Sequence, residues 1–278
     1  FKGVKYAFGE FGGFNLKVAG KKFYPIQIAE KQICSLEITF TGPGGHGSMI
    51  HRDGAMAKLG ETLTLLNKSL LPPHVTPSAE LMYGGMAKHL AFPLNLIVGL
   101  MLNPAFTNLI LRILGSQGTL FSPMLRNTLN ATIVQGGHKI NVIPGEIKLR
   151  CDGRMLPGFM PDAFVKEVQE LIGPEHKIEV TSYDPGPAEP KMGLFDTLAG
   201  VMKEMDPEGE PVPLIMSGVT DARFFSQLGI QTYGFTPLQL PEDMPFAQTI
   251  HAADERIPVG AVEFGTEAIL KALLIFHD

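Results

Sequence analysis

The chain has 278 residues, enough for one large domain or for two ordinary domains, each with its own core. Its hydrophobic content of 45% and charged content of 18% are typical of a globular protein rather than a disordered one. A net charge of -5, with no cluster of Lys and Arg, argues against a nucleic-acid partner. Two cysteines, Cys34 and Cys151, are too few for a disulfide scaffold.

Neither a membrane span nor a leader is predicted from the residues given. The most apolar run, residues 90–102, includes Pro93 and is shorter than the ~20 residues of a spanning helix, so we expect no transmembrane segment. The chain begins at Phe1, and its first residues are typical of the middle of a domain, without a charged and apolar leader. A cytoplasmic location is slightly favoured, and the compartment stays open.

The first candidate site residue is Glu10, in the segment GEFGG that comes after a short apolar strand predicted at residues 4–8. Glycines let the backbone turn sharply, and an acid at the carboxyl end of a strand is a common way to present a ligand. The pattern also fits an ordinary glycine turn with a solvated Glu. Phosphate binding is not supported, because the segment lacks the Lys and Ser/Thr of a P-loop.

The second candidate is His46, in the loop GPGGHGS. Polar and apolar residues alternate over residues 34–41 before it, which predicts a strand with one buried face. A histidine in so glycine-rich a loop is accessible and could donate a hydrogen bond to a developing oxyanion. It could also be incidental to a turn. Asp53 is predicted to cap the next helix.

Residues 72–126 are the least regular part, and we interpret them as a helical insertion. Their Leu, Ile, Met and Phe content is typical of helices buried in a protein core, and it also fits an apolar substrate pocket or a surface that binds a partner. Alternation of polar and apolar residues then predicts strands at residues 128–135 and 146–154. A helix is predicted at residues 161–172 and a last short strand at 178–182. The order strand, helix, two strands, helix, strand is that of a split βαβ sandwich.

The third candidate is His251, in the last part of the chain. The predicted elements there are a hinge at residues 184–190, helices at 194–205 and 260–276, and strands at 211–216 and 231–235.

A neutral imidazole is a common metal ligand, and the nearby carboxylates of Asp254 and Glu255 could orient His251, although a surface ion pair fits equally. In the final helix Val262, Ile269 and Leu273 are predicted to face inward.

Six motifs occur in the order seen in the M20 family of zinc metallopeptidases, which the chain resembles over nearly its whole length. They are GEFGG, IAEK at residues 28–31, GPGGHGS, NVIPGE followed by DGR within residues 141–154, SGVTDAR at 217–223 and HAADERIP at 251–258. Each motif is weak alone, whereas six in order are specific. The family includes carboxypeptidases, aminoacylases, acetylornithine deacetylases and succinyl-diaminopimelate desuccinylases.

The resemblance implies an α/β fold, in which a partial mixed-sheet zinc-peptidase catalytic domain carries an inserted ferredoxin-like α+β lid used for dimerisation. The implied boundaries are residues 1–33 and 184–278 for the catalytic domain and 34–183 for the lid, with the helical insertion at about 72–126.

The resemblance also implies roles for individual residues. Glu10 resembles a terminal carboxylate ligand of one zinc ion, and His251 resembles the imidazole ligand of the other. His46 resembles the catalytic histidine that crosses a dimer interface to polarise the scissile carbonyl.

Asn141 and Arg154 match the lid residues that grip the substrate's carboxylate or carbonyl, and Gly218 and Thr220 match a loop that helps to bind it. Arg154 also lies on the polar face of the strand predicted at residues 146–154, so alternation and resemblance agree.

The chain departs from the family pattern upstream of Glu10. Family members place an HxD segment, a bridging aspartate and a Glu-Glu pair that contains the general base there, and none of them precedes Glu10 in this chain. We therefore interpret the chain as the carboxyl-terminal part of an M20 enzyme and expect it to be nearly inactive alone.

The reaction implied for the complete enzyme is hydrolysis of an amide or peptide bond next to a free carboxylate. Two zinc ions are implied as cofactors, with cobalt or manganese as alternatives. The implied partners are an N-acyl amino acid or peptide substrate and a second copy of the chain, bound through the lid.

Two other classes of function stay open. One is a non-catalytic dimerisation or binding module derived from the same fold. The other is a serine hydrolase that uses Ser48 or Ser217 with His251 and Asp221, which the missing GxSxG elbow disfavours. The sequence does not separate peptidase from deacylase.

Overall fold

Two main β-sheets organise the computed structural model, which describes residues 1–187 and 190–276. The strands are β1 (Tyr6–Gly9), β2 (Leu16–Val18), β3 (Lys21–Glu30), β4 (Gln32–Thr41), β5 (Gly45–His46), β6 (Thr128–Gln135), β7 (Val142–Ile143), β8 (Glu146–Met155), β9 (Lys177–Asp184), β10 (Glu210–Met216) and β11 (Gln231–Gly234). The helices are α1 (Ala55–Lys68), α2 (Pro77–His89), α3 (Leu94–Leu100), α4 (Pro104–Ile113), α5 (Ser116–Phe121), α6 (Pro161–Ile172), α7 (Phe195–Met205), α8 (Ala222–Gln227), α9 (Phe246–Thr249) and α10 (Val259–Ile275), with a 3-10 helix at Ser122–Leu125.

The first sheet is mixed, with strand order β1-β11-β3-β10 and β2 paired to β3. β1 and β11 are parallel to each other, as are β3 and β10, and the two pairs run in opposite directions. β1 and β11 therefore finish at one end of the sheet, which we call the outer end. β3 and β10 finish at the other, the inner end, where the chain passes to the second sheet.

β3 is the central strand of the first sheet and is buried from residue 23 to residue 30. Helices α2 and α7 both pack against β3 and β10, so both faces of the strand are covered. A strand covered on both faces shows no polar and apolar alternation, which is why the sequence pattern did not predict it.

The second sheet is antiparallel, with strand order β6-β8-β4-β9. Helices α1 and α6 pack against it, around a core that includes Leu36, Leu149 and Phe164. The chain order β4, α1, β6, β8, α6, β9 confirms the predicted ferredoxin-like α+β unit, and the predicted helix at residues 161–172 is confirmed as α6.

The helical insertion, α2 to α5, interrupts the second unit in sequence but packs on the first sheet. Its Tyr83 and Met86 share one core with Tyr24 and Val212, which lie on β3 and β10. The Tyr83 hydroxyl donates a hydrogen bond to the Phe121 carbonyl oxygen at 2.9 Å, which ties α2 to the end of α5. Within residues 1–187 and 190–276, no helix has the length and apolar content to cross a bilayer.

Two helices differ in detail from the prediction. Asp53 does not cap α1, because the helix starts after Gly54 and Asp53 adopts a left-handed φ of 57°.

In α10 the prediction that Val262 and Leu273 face inward is wrong, since their side chains are 51% and 59% exposed. The buried face of α10 consists of the small residues Ala261, Gly265, Ala268 and Ala272.

At Gly265, helix α10 packs closely against the backbone of Pro237. We therefore expect Gly265→Ala to destabilise the protein. A Cβ there would overlap the Pro237 carbonyl oxygen, at an overpacking cost of about 1–3 kcal/mol. Gly200→Ala is the control: Gly200 is an exposed residue in the middle of α7, and no described atom lies within 4 Å of an added Cβ. It should stabilise the protein by about 1 kcal/mol through helix propensity. Urea unfolding measures both changes, and equal effects would contradict close packing of α10.

Candidate functional site

Glu10 and the segment leading to His251 lie at the outer end of the first sheet. Glu10 comes directly after β1, whose parallel neighbour β11 leads on toward His251. The ring of Phe14 contacts the rings of Phe11 and Phe246, with centroid distances of 5.2 and 5.1 Å. Phe11 is next to Glu10, and Phe246 lies five residues before His251. The fold therefore brings together the two loops that carry the predicted metal ligands.

Glycines make the sharp turn after Glu10 possible. Gly12 and Gly13 have φ values of 81° and 78°, a left-handed conformation that L side chains rarely adopt. A Cβ on Gly12 would overlap the Gly234 carbonyl oxygen of β11. The turn can thus pack directly on the backbone of the neighbouring strand.

The described residues do not form a complete metal site. Glu10 and His251 are both exposed, and the His251 backbone N–H donates to Glu255 Oε2 at 3.3 Å. Over residues 1–187 and 190–276, no three His, Cys, Asp or Glu side chains are grouped so that they could hold a metal ion. Catalytic zinc sites use three protein ligands, so Glu10 and His251 alone do not complete such a site.

His46 and Asn141 are neighbours at the end of the second unit remote from the first sheet. β5 pairs antiparallel with β7, so that His46 lies opposite Val142, and the Gly47 N–H donates to the Asn141 carbonyl oxygen at 2.8 Å. The His46 ring is exposed, and its Nδ1 lies 2.8 Å from Ser48 Oγ. The structure thus brings together two predicted site residues from separate loops.

Arg154 is placed near the inner end, where β8 runs beside the start of β4. Its Nε and Nη2 donate to the two carboxylate oxygens of Asp152 at 2.6 and 2.9 Å. This hydrogen-bonded pair raises the pKa of Arg154, which therefore stays charged. The pair occupies one edge of the guanidinium and leaves Nη1 outside it.

Arg154 and His46 lie at opposite ends of the second sheet. β8 begins at Glu146, opposite Thr41, and reaches Arg154 opposite Ile33. Eight residues at a rise of about 3.4 Å separate these ends by roughly 27 Å. Within one chain the structure therefore does not bring His46 and Asn141 to Arg154.

Gly218 and Thr220 come after β10 at the inner end, away from Glu10. The Thr220 backbone N–H and hydroxyl both donate to Glu30 Oε2, at 2.8 and 2.7 Å. Thr220 is buried and Gly218 half-buried. The Thr220 hydroxyl is thus committed to Glu30, and Gly218 is the more accessible of the two residues.

Glu30 is a residue whose position sequence reasoning missed. It is only 2% exposed, and its Oε2 also accepts from Gln27 Nε2 at 3.1 Å. Burial raises the pKa of the Glu30 carboxyl, while the hydrogen bonds from Thr220 and Gln27 and the charge of Arg223 act in the opposite direction. A carboxylate at the end of the largely apolar segment of residues 23–30 was the available signal.

Lys31, the next residue, is 1% exposed and lies between the two sheets. Its Nζ donates to the Arg126 carbonyl oxygen at 2.9 Å and to Thr128 Oγ1 at 3.1 Å. Burial lowers the pKa of Lys31 to about 7, helped by the positive charges of Arg154 and Arg126 and opposed by Asp152. The Lys31 amine, located where the chain passes from the first sheet to the second, therefore titrates near neutral pH.

The family model of the peptidase dimerisation domain of M20 enzymes matches residues 28–179, just over half of the chain. Among curated proteins, the human N-fatty-acyl-amino acid synthase/hydrolase PM20D1 is 28% identical over 98% of this chain and 56% of its own length. A carboxypeptidase S-like protein of Dictyostelium discoideum is 26% identical over 86% of this chain and 46% of its own length. The chain thus spans about half the length of these relatives.

Solved structures share the fold at low sequence identity. The dipeptidase Dug1p of Saccharomyces cerevisiae has a TM-score of 0.53 at 14% identity and covers 97% of this chain and 57% of its own. The aminopeptidase PepT of Bacillus cereus has a TM-score of 0.52 at 13% identity, over 96% of this chain and 56% of its own.

The free energy of unfolding is expected to rise between pH 7 and pH 10 because of Lys31. The folded-state pKa of about 7 lies below the value of about 10.4 in an unfolded chain. Between these values the unfolded state binds the extra proton, so raising the pH favours folding by up to about 1.4 kcal/mol per unit. Below pH 7 both states are protonated and this slope vanishes.

Lys31→Met isolates this contribution. Urea unfolding of both proteins at pH 7 and pH 9 should show a steeper pH dependence in the wild type than in the variant. Parallel pH profiles would contradict a neutral Lys31 in the folded state.

Proposed function

Because the chain belongs to the M20 family of peptidases, we propose that the protein hydrolyses an amide or peptide bond next to a free carboxylate, as a carboxypeptidase or an N-acyl amino acid deacylase. The observation that carries the proposal is a charged Arg154 on the polar face of a dimerisation-type unit at whose remote end the loops of His46 and Asn141 lie side by side. The chain spans about half of its relatives, so the activity is proposed for the full-length protein.

Arg154 is proposed to bind the substrate carboxylate. A guanidinium matches a carboxylate with paired donors, and Asp152 already occupies Nε and Nη2. Nη1 is the donor that we assign to the substrate. Asp152 would then orient the guanidinium and keep it charged.

His46 is the proposed electrophilic residue, acting on the substrate held by another copy. Its exposed imidazole can donate a hydrogen bond to the oxygen that becomes negative during attack on the carbonyl. The roughly 27 Å of strand between the two ends of β8 keeps it from the Arg154 of its own chain. A homodimer formed through the second unit would supply it in trans.

Metal dependence is part of the proposal. Glu10 and His251, brought to one end of the first sheet, are proposed as two ligands of a set whose other members lie outside the described residues. Carboxylate and imidazole suit zinc, with cobalt and manganese as alternatives.

A non-catalytic dimerisation module is the second candidate function. It is favoured by one observation: the residues that the structure describes include no group of three metal donors. In-frame HxD and Glu-Glu motifs in the genomic sequence upstream of Phe1 would decide for the enzyme, and a start codon close to Phe1 would decide for the module.

Full-length protein is expected to cleave N-acyl amino acids and to discriminate against their carboxamide analogues. Losing the charge-assisted hydrogen bond to Arg154 costs about 1.5–3 kcal/mol, or roughly 10- to 100-fold in kcat/KM. Arg154→Ala should remove this discrimination. Arg150→Ala, on the same face of β8 but paired with Glu37, should keep it.

The 278-residue chain alone, assayed in parallel with added zinc, is expected to stay near background. Equal cleavage of carboxylate and carboxamide substrates by the full-length protein would contradict the role of Arg154 in binding the substrate carboxylate. Substantial turnover by the 278-residue chain alone would contradict the proposal that further metal ligands are needed.

Hybrid dimers test the action of His46 in trans. Full-length His46→Ala and Arg154→Ala variants are each expected to be nearly inactive, and mixing them by co-expression should restore activity. A hybrid has one site that combines an intact Arg154 with the partner's intact His46, so random pairing gives about a quarter of wild-type activity. Action within one chain predicts no recovery, because neither protomer would then hold both residues.

A further inference from the structure

Residues 81–145 contain no acidic side chain, although 28 of the 278 residues are Asp or Glu. This stretch is nearly a quarter of a chain with a net charge of -5, and it includes most of the insertion from α2 onward. Lys88 and Arg112, in the last turns of α2 and α4, are exposed within it. Glu80, in the first turn of α2, precedes this stretch, so the insertion carries Lys88 and Arg112 against one carboxylate and is weakly basic within an acidic protein.

The same insertion exposes large hydrophobic side chains. Phe92 is 80% exposed and Ile113 65% exposed, and the complete set, which we call the apolar face, is Phe92, Leu96, Phe106, Leu109, Ile113 and Leu120. Monomeric proteins rarely expose contiguous apolar patches of more than a few hundred Å², and larger ones mark interaction sites.

Helix α4 is apolar on two sides at once. Thr107, Ile110 and Leu111 are buried toward the molecule, while Phe106, Leu109 and Ile113, spaced by three and four residues, form one exposed stripe. Asn108 and Arg112 are the polar residues that α4 exposes. The helix therefore presents an apolar stripe with a cation near its end, an arrangement typical of helices that lie at a membrane surface.

A cavity of about 320 Å³ opens among α2, α3, α5 and the turn between β2 and β3. Its walls include Tyr83, Met86, Leu90, Ile97, Val98 and Phe121. Lys17 is the charged side chain on the wall, and it pairs with Glu242 at 2.8 Å. Volume and lining are typical of pockets that accept apolar ligands, so the insertion offers room for a hydrocarbon chain beside the apolar face.

We propose that the apolar face of the insertion docks on the surface of an anionic lipid bilayer. The exposed Phe, Leu and Ile side chains enter the boundary between headgroups and acyl chains, while Lys88 and Arg112 contact the anionic headgroups. At about 1.5 Å per residue, α4 is some 15 Å long, which suits a helix lying in the interface and not one crossing it.

The charge of the insertion favours an anionic bilayer over a second copy of the same face as the partner. A symmetric contact would bring Lys88 and Arg112 toward their copies, which is unfavourable, whereas an anionic surface complements them. The exposed apolar residues of α10 provide a contrast, because exposed Glu263 and Glu267 accompany them. The proposal does not depend on the hydrolytic activity.

Co-sedimentation with vesicles tests the proposal. The protein should bind vesicles of phosphatidylcholine with phosphatidylglycerol, bind pure phosphatidylcholine much more weakly, and lose affinity as salt increases. The combined Phe106→Ser, Leu109→Ser and Ile113→Ser variant should lose at least about tenfold in vesicle affinity. The matched control on α10, Val262→Ser, Leu270→Ser and Leu273→Ser, should retain it.

Arg112→Glu keeps the apolar stripe and reverses one charge, so it should lower binding to the anionic vesicles by about tenfold. Circular dichroism and thermal unfolding verify that each variant is folded. Absence of binding to anionic vesicles, or an equal loss in the α10 control, would overturn the proposal. A change in oligomeric state of the α4 variant by light scattering, with vesicle binding unchanged, would instead assign the face to a protein interface.

Discussion

The relative orientation of the two sheets depends on three consecutive buried polar residues, Glu30, Lys31 and Gln32, where β3 passes into β4. Glu30 accepts hydrogen bonds from the loop after β10, Lys31 donates to the backbone just before β6, and Gln32 Oε1 accepts from the Tyr183 hydroxyl of β9. Burying charged and polar groups is costly unless each is hydrogen-bonded, so a change in the angle between the sheets would leave them unsatisfied. The connection is short, and its hydrogen bonds favour the observed arrangement.

This connection also decides which residues can act together in one chain. β8 runs antiparallel to β4, so the second sheet holds Arg154 beside the joint and places the paired loops of His46 and Asn141 at its remote end. A packed antiparallel sheet does not bend back on itself over such a short span. One chain therefore offers two halves of the proposed substrate site, and the proposed homodimer would join halves from different copies.

Much of the fold was predictable because one-sided burial leaves a pattern in the sequence. β4 and β8 alternate since one face of their sheet is packed by α1 and α6 and the other carries charged pairs such as Glu37 with Lys148. The edge strand β6 does not keep this pattern, because its register shifts between Ala131 and Ile133 and Ile133 is 48% exposed. β3 left no such pattern, because both of its faces are covered. In α10 the larger apolar residues suggested the wrong face, since close packing selects Gly265 and Ala268 and leaves Val262 exposed. Side-chain size and burial are separate properties, and only tertiary contacts relate them.

The site was predictable only where motifs carried it. Motif resemblance gave Glu10, His46 and Arg154 their proposed roles, whereas the burial of Lys31 was invisible in sequence because a lysine next to a strand is ordinarily solvated. The insertion also shows that composition does not determine burial, since its apolar residues fitted both core helices and an exposed surface. The structure contains both, as α4 buries one side and exposes the other. Only the tertiary contacts of the helix separate the two sides, whereas the lack of acidic residues over positions 81–145 can be seen in the sequence and does not depend on hydrophobicity patterns.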